Sequence, residues 1–234
     1  MIGMGYIVIV VAFAIISMIV GNQLKSRFKK YSKIPIKSGM SGKDVAEKML
    51  HENGIYDVRV IPTKGQLSDH YNPATKTVAL SHNVYYGQNV SAAAVAAHEC
   101  GHAVQHAKAY SPLKLRTALV PIQNVSAQIL NFVFGLMIIG TLFAGRILPP
   151  DLALTIFVIA YGVFTLFAFV TLPVEIDASR RALAWISNAG VTNYSNHSQA
   201  RDALKWAAYT YVVAALASLA TFLYFLLMLL GRRN

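Results

Sequence analysis

Four long apolar runs alternate with mixed segments along this chain. The first run covers 2–20 and carries no charge, and the others cover 125–144, 152–172 and 208–230. Each has roughly the 20 residues that an α-helix needs to cross the hydrocarbon core of a bilayer. Basic residues follow the first run instead of preceding it, which favours a retained helix over a cleaved signal peptide. The pattern therefore predicts four transmembrane helices.

Between the first two runs, the pattern predicts a small α+β unit. Residues 41–51 have amphipathic helical spacing and open with a capping serine. Residues 56–61 alternate as a strand that Pro62 ends, and 75–81 form a second strand. The stretch 69–73 between them has turn chemistry.

Residues 91–108 predict one continuous helix, because alanine and other helix formers dominate and either Ser91 or Asn89 can cap its start. The segment His98-Glu99-Cys100-Gly101-His102 lies within it. Histidines four residues apart project from one helical face, so both imidazoles can bind one Zn²⁺. Glu99 can then contact a water molecule bound to the metal. The alternative is that the two histidines and the glutamate have this spacing by chance. We interpret the segment as the core of a zinc metalloprotease site.

A catalytic zinc needs a third protein ligand and an open position for water. Glu175 is favoured, because it follows Pro173 where a span meets water and an acid there is costly unless it is paired or ligating. Asp177 is the alternative. It is two residues further along the same helix and points to a different face, so only one of the two acids can face the zinc. Capping of the helix N-terminus is the structural alternative for both acids.

Two further side chains are predicted to lie outside the ligand set, and Asp177 has a second expected role if Glu175 is the ligand. His106 lies one turn beyond His102, and three ligands in line on a straight helix cannot surround one metal ion. Cys100 points away from the histidine face and is expected to pack in the core. Asp177, if it is not a ligand, is expected to contact a histidine Nδ1 or to pair with Arg180 or Arg181.

The third run is followed by Pro173 and by a predicted helix over 175–185, which emerges from the bilayer. Residues 193–198 read as a polar loop, in which Tyr194 and His197 are expected to be solvated and not catalytic. The predicted organisation comprises a transmembrane helix (1–21), a cytoplasmic basic and catalytic segment (22–117), a transmembrane hairpin (118–172), a cytoplasmic helix and loop (173–207), and a last transmembrane helix with its tail (208–234).

Composition and charge agree with a membrane protein. The 234 residues are 55% hydrophobic and 13% charged, and the mean hydropathy is +0.46. Most of the residues behind the net charge of +11 flank the apolar runs, and no nucleic-acid-binding motif accompanies them. The charge therefore favours contact with a membrane surface over nucleic-acid binding. Segments 21–117 and 173–207 hold 18 of the 21 Lys and Arg. This distribution predicts that both segments lie on the cytoplasmic side of the plasma membrane. Arg232 and Arg233 do not fit this assignment, because it places them on the outer side of the membrane. Cys100 is the single cysteine, so no intrachain disulfide is possible.

Two segments carry a resemblance to a known family. Residues 97–106 and 172–182, together with the short hairpin between them, resemble the YugP-type membrane zinc metallopeptidases of bacteria over nearly the whole chain. More distantly, the layout is similar to the HtpX-type and CAAX-prenyl endopeptidases, which are gluzincins. The resemblance implies that Glu175 is the third zinc ligand. The distant families have an acid where this chain has Ser179, so that acid's role does not carry over.

These observations predict a mainly α membrane protein, with four transmembrane helices and a small α+β zincin-like catalytic unit built on the HExxH helix. The predicted activity is that of a zinc endopeptidase, in which a zinc-bound water attacks a peptide bond and Glu99 is the general base. Its expected partners are a peptide or membrane-protein substrate and the lipid bilayer. The alternatives are a catalytically silent scaffold or chaperone-like adaptor with a structural zinc site, and a transporter or channel. The sequence leaves the oligomeric state and the substrate open.

Overall fold

The chain is mainly helical in the computed structural model, which describes residues 3–142 and 148–231. The connection between the predicted runs 125–144 and 152–172 lies partly outside these residues, and the terminal Arg232 and Arg233 lie wholly outside them. Within them, the helices are α1 (Met4–Tyr31), α2 (Gly42–Glu52), α3 (His82–Tyr85), α4 (Val90–Ala107), α5 (Ser111–Leu142), α6 (Pro150–Asn188) and α7 (Tyr194–Gly231). The strands are β1 (Arg59–Thr63), β2 (His70–Asn72) and β3 (Thr77–Ser81).

Four of these helices, α1, α5, α6 and α7, are long and apolar enough to cross a membrane. The described part of each predicted run falls on one of them. One compact unit comprises the described parts of Met1–Met18, Leu115–Leu172 and Tyr211–Asn234. Large apolar side chains, among them Leu154, Phe157 and Phe225, are almost fully buried in its core. The rings of Phe157 and Phe225 lie 5.1 Å apart, a separation typical of favourable aromatic pairs.

Two of the apolar helices, α6 and α7, include residues at which the sequence predicts a break or a loop. Pro173 lies inside α6, so the predicted break before a separate helix at 175–185 is wrong. Membrane helices tolerate proline, because neighbouring groups and local adjustments satisfy the backbone atoms that it frees. The predicted loop at 193–198 is also wrong, since α7 starts at Tyr194. The Asn193 side chain accepts a hydrogen bond from the Asn196 N–H at 2.8 Å, which caps the first turn.

A second compact unit comprises Ile19–Lys114 and Pro173–Thr210. Its helix α2 confirms the prediction for 41–51. The Ser41 side chain accepts from the Asp44 N–H, and the Asp44 carboxylate accepts from the Ser41 N–H at 2.8 Å. This capping box satisfies donors that the start of a helix leaves without partners. Apolar side chains of α2, including Met49 and Leu50, are then buried in a core that α4 shares.

The sheet of this unit has three strands in the order β1-β3-β2, with β1 parallel and β2 antiparallel to β3. Two strands were predicted, and the turn assigned to 69–73 is wrong because β2 occupies His70–Asn72. The turn comes later, where the Asn72 carboxamide oxygen accepts from the Ala74 N–H at 2.9 Å.

The strand β1 also runs through Pro62, which was expected to end it. The Arg59 N–H donates to the carbonyl of Lys76, the residue before β3, and alternate residues of a strand face alternate sides. Pro62 therefore points its missing N–H to the outer side of an edge strand, where no ladder bond is lost.

Helix α4 confirms the helix predicted over 91–108, with Asn89 as the cap. The Asn89 carboxamide oxygen accepts from the Ala92 N–H at 3.0 Å. Six of the seven alanines of α4 are almost completely buried, namely Ala92, Ala93, Ala94, Ala96, Ala97 and Ala103. Because their side chains are short, neighbouring elements can pack close to the α4 backbone on several sides.

Replacing Asn89 tests the cap. We expect Asn89→Ala to destabilise the protein by about 1 kcal/mol, which lowers the unfolding temperature by about 2 to 4 °C for a chain of this size. Asn89→Asp keeps a side-chain oxygen in the capping position and should unfold like the wild type. Thermal unfolding in detergent measures both, and an equal loss in the two variants would contradict the capping role.

Candidate metal centre

The two histidines of the motif lie one turn apart on the same face of α4. Their rings are 4.8 Å apart and nearly perpendicular, with an interplanar angle of 82°. The His98 side chain is 12% exposed and that of His102 is 11% exposed. The helical spacing thus brings the two imidazoles together on one face, as predicted, and the position is largely shielded from solvent.

Glu175 on α6 brings a carboxylate to this position. Its Oε2 lies 3.3 Å from Nε2 of His98 and 3.5 Å from Nε2 of His102, and the residue is 2% exposed. The three side chains form a cluster whose potential ligand atoms are all within 4.8 Å of one another. Of the two acids that the sequence left open, the structure places Glu175 at the histidines.

The dimensions of the cluster fit a tetrahedral zinc ion. Zinc binds imidazole nitrogen and carboxylate oxygen at about 2.0–2.2 Å, which separates neighbouring ligand atoms by about 3.3–3.5 Å in a tetrahedron. The two observed nitrogen-to-oxygen distances, 3.3 and 3.5 Å, match this separation. Two imidazoles and one carboxylate leave a fourth position open, which is typical of catalytic zinc sites.

Gly101 explains how α6 comes this close to α4. A Cβ atom built on Gly101 would lie 2.6 Å from the carbonyl oxygen of Ala178, well inside van der Waals contact. The residue between the two histidines is therefore the point at which the backbones of the two helices meet. Glu175, one turn before Ala178 on α6, is brought to the histidines by this contact.

The outer nitrogen of each imidazole has a polar partner. Nδ1 of His98 lies 3.1 Å from Oγ of Ser179, and Nδ1 of His102 lies 3.0 Å from Oε1 of Gln105. With Nδ1 engaged, Nε2 is the atom that each ring turns towards Glu175. Sequence reasoning noted Ser179 only as a departure from distant families and missed Gln105. The signal for Gln105 was its position one turn after His102 on the same helix.

Asp177 lies beside the cluster and is not part of it. Its Oδ2 accepts from Nε of Arg181 at 2.5 Å and from Nε2 of Gln105 at 2.9 Å. The predicted pairing of Asp177 with an arginine is therefore confirmed for Arg181. The other predicted contact of Asp177, a direct bond to a histidine Nδ1, is not formed with His102. Gln105 lies between them and contacts both Asp177 and His102.

Glu99 is buried next to the first histidine and is 8% exposed. Its negative charge reaches the metal-binding face. Burial by itself lowers the pKa of His102, but hydrogen bonding to Glu175 and the charges of Glu99 and Glu175 outweigh it and raise the pKa above its usual value. Two acidic side chains, Glu99 and Glu175, therefore act on the histidines, which favours a bound cation.

The remaining candidates lie elsewhere. Nδ1 of His106 is 2.9 Å from the Tyr71 hydroxyl, outside the cluster, as predicted. Cys100 is buried and contacts the Ala46 carbonyl of α2, which confirms its packing role, and burial raises the pKa of its thiol. Tyr194 is 99% exposed. Nδ1 of His197 lies 3.4 Å from the Thr192 hydroxyl.

The membrane-length helices and the His₂Glu cluster together define a membrane-type metalloprotein. A family model described as "Putative neutral zinc metallopeptidase" matches residues 6–230, and the chain belongs to this family. Zinc is accordingly the metal that the cluster fits.

A curated relative supports the same assignment. "Putative membrane protease YugP" of Bacillus subtilis (strain 168) is 40% identical over 213 residues, which cover 91% of either chain. The resemblance to the YugP-type family is thereby confirmed. No solved structure matches the chain significantly.

A Cβ atom at position 101 should disturb the site through packing. Gly101→Ala forces α6 away at Ala178, which we expect to cost about 1–3 kcal/mol and to lower the zinc content by withdrawing Glu175. Gly21→Ala is a matched control on α1, because a Cβ there meets nothing within 4 Å. Unfolding temperature and zinc per chain measure both variants. A wild-type zinc content in Gly101→Ala would show that the close contact does not matter.

Proposed function

We propose that this protein is an integral-membrane zinc endopeptidase of the gluzincin type, with His98, His102 and Glu175 as zinc ligands and Glu99 as general base. The observation that carries the proposal is the convergence of two Nε2 atoms and one carboxylate oxygen at separations that suit tetrahedral zinc. The zinc metallopeptidase family to which the chain belongs supports the same chemistry.

In the proposed reaction, water is added across a peptide bond to yield a carboxylic acid and an amine. When bound, zinc supplies a Lewis acid that polarises the carbonyl and lowers the pKa of water towards neutrality. The Glu99 carboxylate accepts a proton from the attacking water and delivers it to the leaving nitrogen. The burial of Glu99 on α4, directly after His98 in the chain, supports this role.

The second unit also offers a surface for an extended peptide. In the strand order β1-β3-β2, β2 is an edge strand, and its Tyr71 contacts His106 on α4. An extended peptide that pairs with such an edge gains backbone hydrogen bonds without dependence on its side chains. This arrangement favours cleavage within a chain by a zincin-like unit.

The charge distribution supports a cytoplasmic site in the plasma membrane. Segments 21–117 and 173–207 include all of the proposed site residues and hold 18 of the 21 Lys and Arg. Basic residues near apolar spans favour the cytoplasmic side. Peptides or membrane proteins reached from that side are the proposed substrates.

Glu99→Gln separates catalysis from metal binding. The amide cannot accept a proton, so we expect turnover to fall by about 10²- to 10⁴-fold while one zinc per chain is retained. Cleavage of an unfolded protein substrate and zinc content by mass spectrometry measure the two properties. Glu47→Gln, which changes a half-exposed acid on α2, is the control. Unchanged turnover in Glu99→Gln would reject Glu99 as the base and favour a scaffold.

Glu175→Ala and Asp177→Ala test the third ligand. Glu175→Ala removes a carboxylate from the cluster, so we expect the purified variant to lose its zinc. Asp177→Ala removes a partner of Gln105 and Arg181 but no atom of the cluster, so the variant should still hold one zinc per chain when zinc is supplied. Mass spectrometry on detergent-purified protein, prepared without chelators, measures both. Zinc loss in Asp177→Ala alone would reverse the assignment.

A further inference from the structure

Gln105 is a fully buried amide whose polar atoms all have partners within the second unit. Its exposure is 0%. Its Nε2 donates to the Val174 carbonyl at 2.7 Å and to Oδ2 of Asp177 at 2.9 Å. Its Oε1 lies 3.0 Å from Nδ1 of His102. One side chain of α4 is thus connected both to a proposed zinc ligand and to α6.

These contacts determine the orientation of the amide. A carbonyl and a carboxylate can only accept hydrogen bonds, so the atom of Gln105 that faces them must be the NH₂ group. The other atom is then the oxygen, which can only accept. Nδ1 of His102 must therefore carry the hydrogen, and the lone pair of the neutral ring is on Nε2, the atom that faces Glu175.

The contact with α6 lies directly beside Glu175, the proposed third ligand. Val174, whose carbonyl accepts from Gln105, directly precedes Glu175 in α6. Asp177 is held in turn by Arg181, which fixes the carboxylate that receives the other N–H of Gln105. Gln105 therefore relates the ring of His102 to the backbone that bears Glu175.

We propose that Gln105 is a positioning residue of the metal centre, which sets the tautomer of His102 and holds Glu175 opposite its Nε2. The inference rests on the proposed function, since it concerns the same zinc site. A role in packing alone would not need an amide. An apolar side chain fills such a space without the cost of burying polar groups, whereas a buried amide is stable only when its partners are in place.

Gln105→Met tests this role, because methionine is unbranched and similar in length but cannot make these hydrogen bonds. Loss of a partner that orients a metal-binding histidine typically weakens metal affinity about 10- to 100-fold, and we expect a Kd for zinc higher by that factor. Competition with a chromophoric chelator measures the Kd on the full-length protein in detergent.

Ser91→Ala is the matched control on the same helix. Ser91 is fully buried, and its hydroxyl donates to the Phe28 carbonyl of α1 at 2.8 Å, away from the cluster. The variant also loses a buried hydrogen bond between helices but should keep the wild-type Kd for zinc. If Ser91→Ala weakens zinc binding as much as Gln105→Met does, general destabilisation explains the loss and the proposal is overturned.

The absorption spectrum of the cobalt-loaded protein gives a readout of geometry. Gln105→Met should shift the visible bands of bound Co²⁺, because the His102 ring is no longer fixed, whereas Ser91→Ala should not. If Gln105→Met does not fold, Gln105→Asn keeps a buried amide that is one methylene too short and should shift the Kd and the bands in the same direction. An unchanged Kd and spectrum in the folded variant would overturn the proposal.

The outcome is separable from that of the proposed function. A wild-type protein that binds zinc but cleaves no substrate would remove the endopeptidase proposal, and the Gln105 comparison would still be decided by the Kd. A wild-type protein that cleaves substrate, with a zinc Kd that Gln105→Met leaves unchanged, would remove only the positioning role.

Discussion

The contact between Gly101 and Ala178 is the packing constraint on which the metal centre depends. Glu175 is far from the histidines in sequence, and its carboxylate reaches them only because α6 approaches α4 at the distance that a glycine allows. A buried carboxylate is costly unless a positive or hydrogen-bonding partner compensates it. A cation bound between the Glu175 carboxylate and the Nε2 atoms of the two imidazoles would supply that partner.

The surrounding core holds the helix that presents the histidines. The short side chains of α4 are buried against α2 and the neighbouring apolar residues, while Cys100 faces α2 and the histidines face Glu175. One side of α4 thus packs in the apolar core, and the other side carries the histidines of the cluster. Its position is fixed by apolar burial on one side, so the polar cluster on the other side can be held in one geometry.

The parts of the fold that the sequence predicted are those with local causes. The helices α2 and α4 follow from capping residues and spacing, and His98 and His102 are brought together by helical periodicity alone. The strand β2 and the first turn of α7 were missed because their polar residues also suit turns, and only pairing with β3 or the Asn193 cap decides between the two. Gln105 and Ser179 were missed because their roles depend on how two helices distant in sequence are aligned.

That alignment follows from the contacts themselves. His98 lies by Ser179, Gly101 by Ala178, and Gln105 by Val174, so residue numbers rise along α4 as they fall along α6. The two helices are therefore antiparallel at the site. Glu175 and Ser179, one turn apart, share the flank of α6 that faces the histidines, whereas Asp177 is rotated by about 200° from Glu175. It lies with Val174 and Arg181 on the flank that Gln105 contacts. The helical periodicity of α6 thus assigns the two acids to different partners, although they are two residues apart.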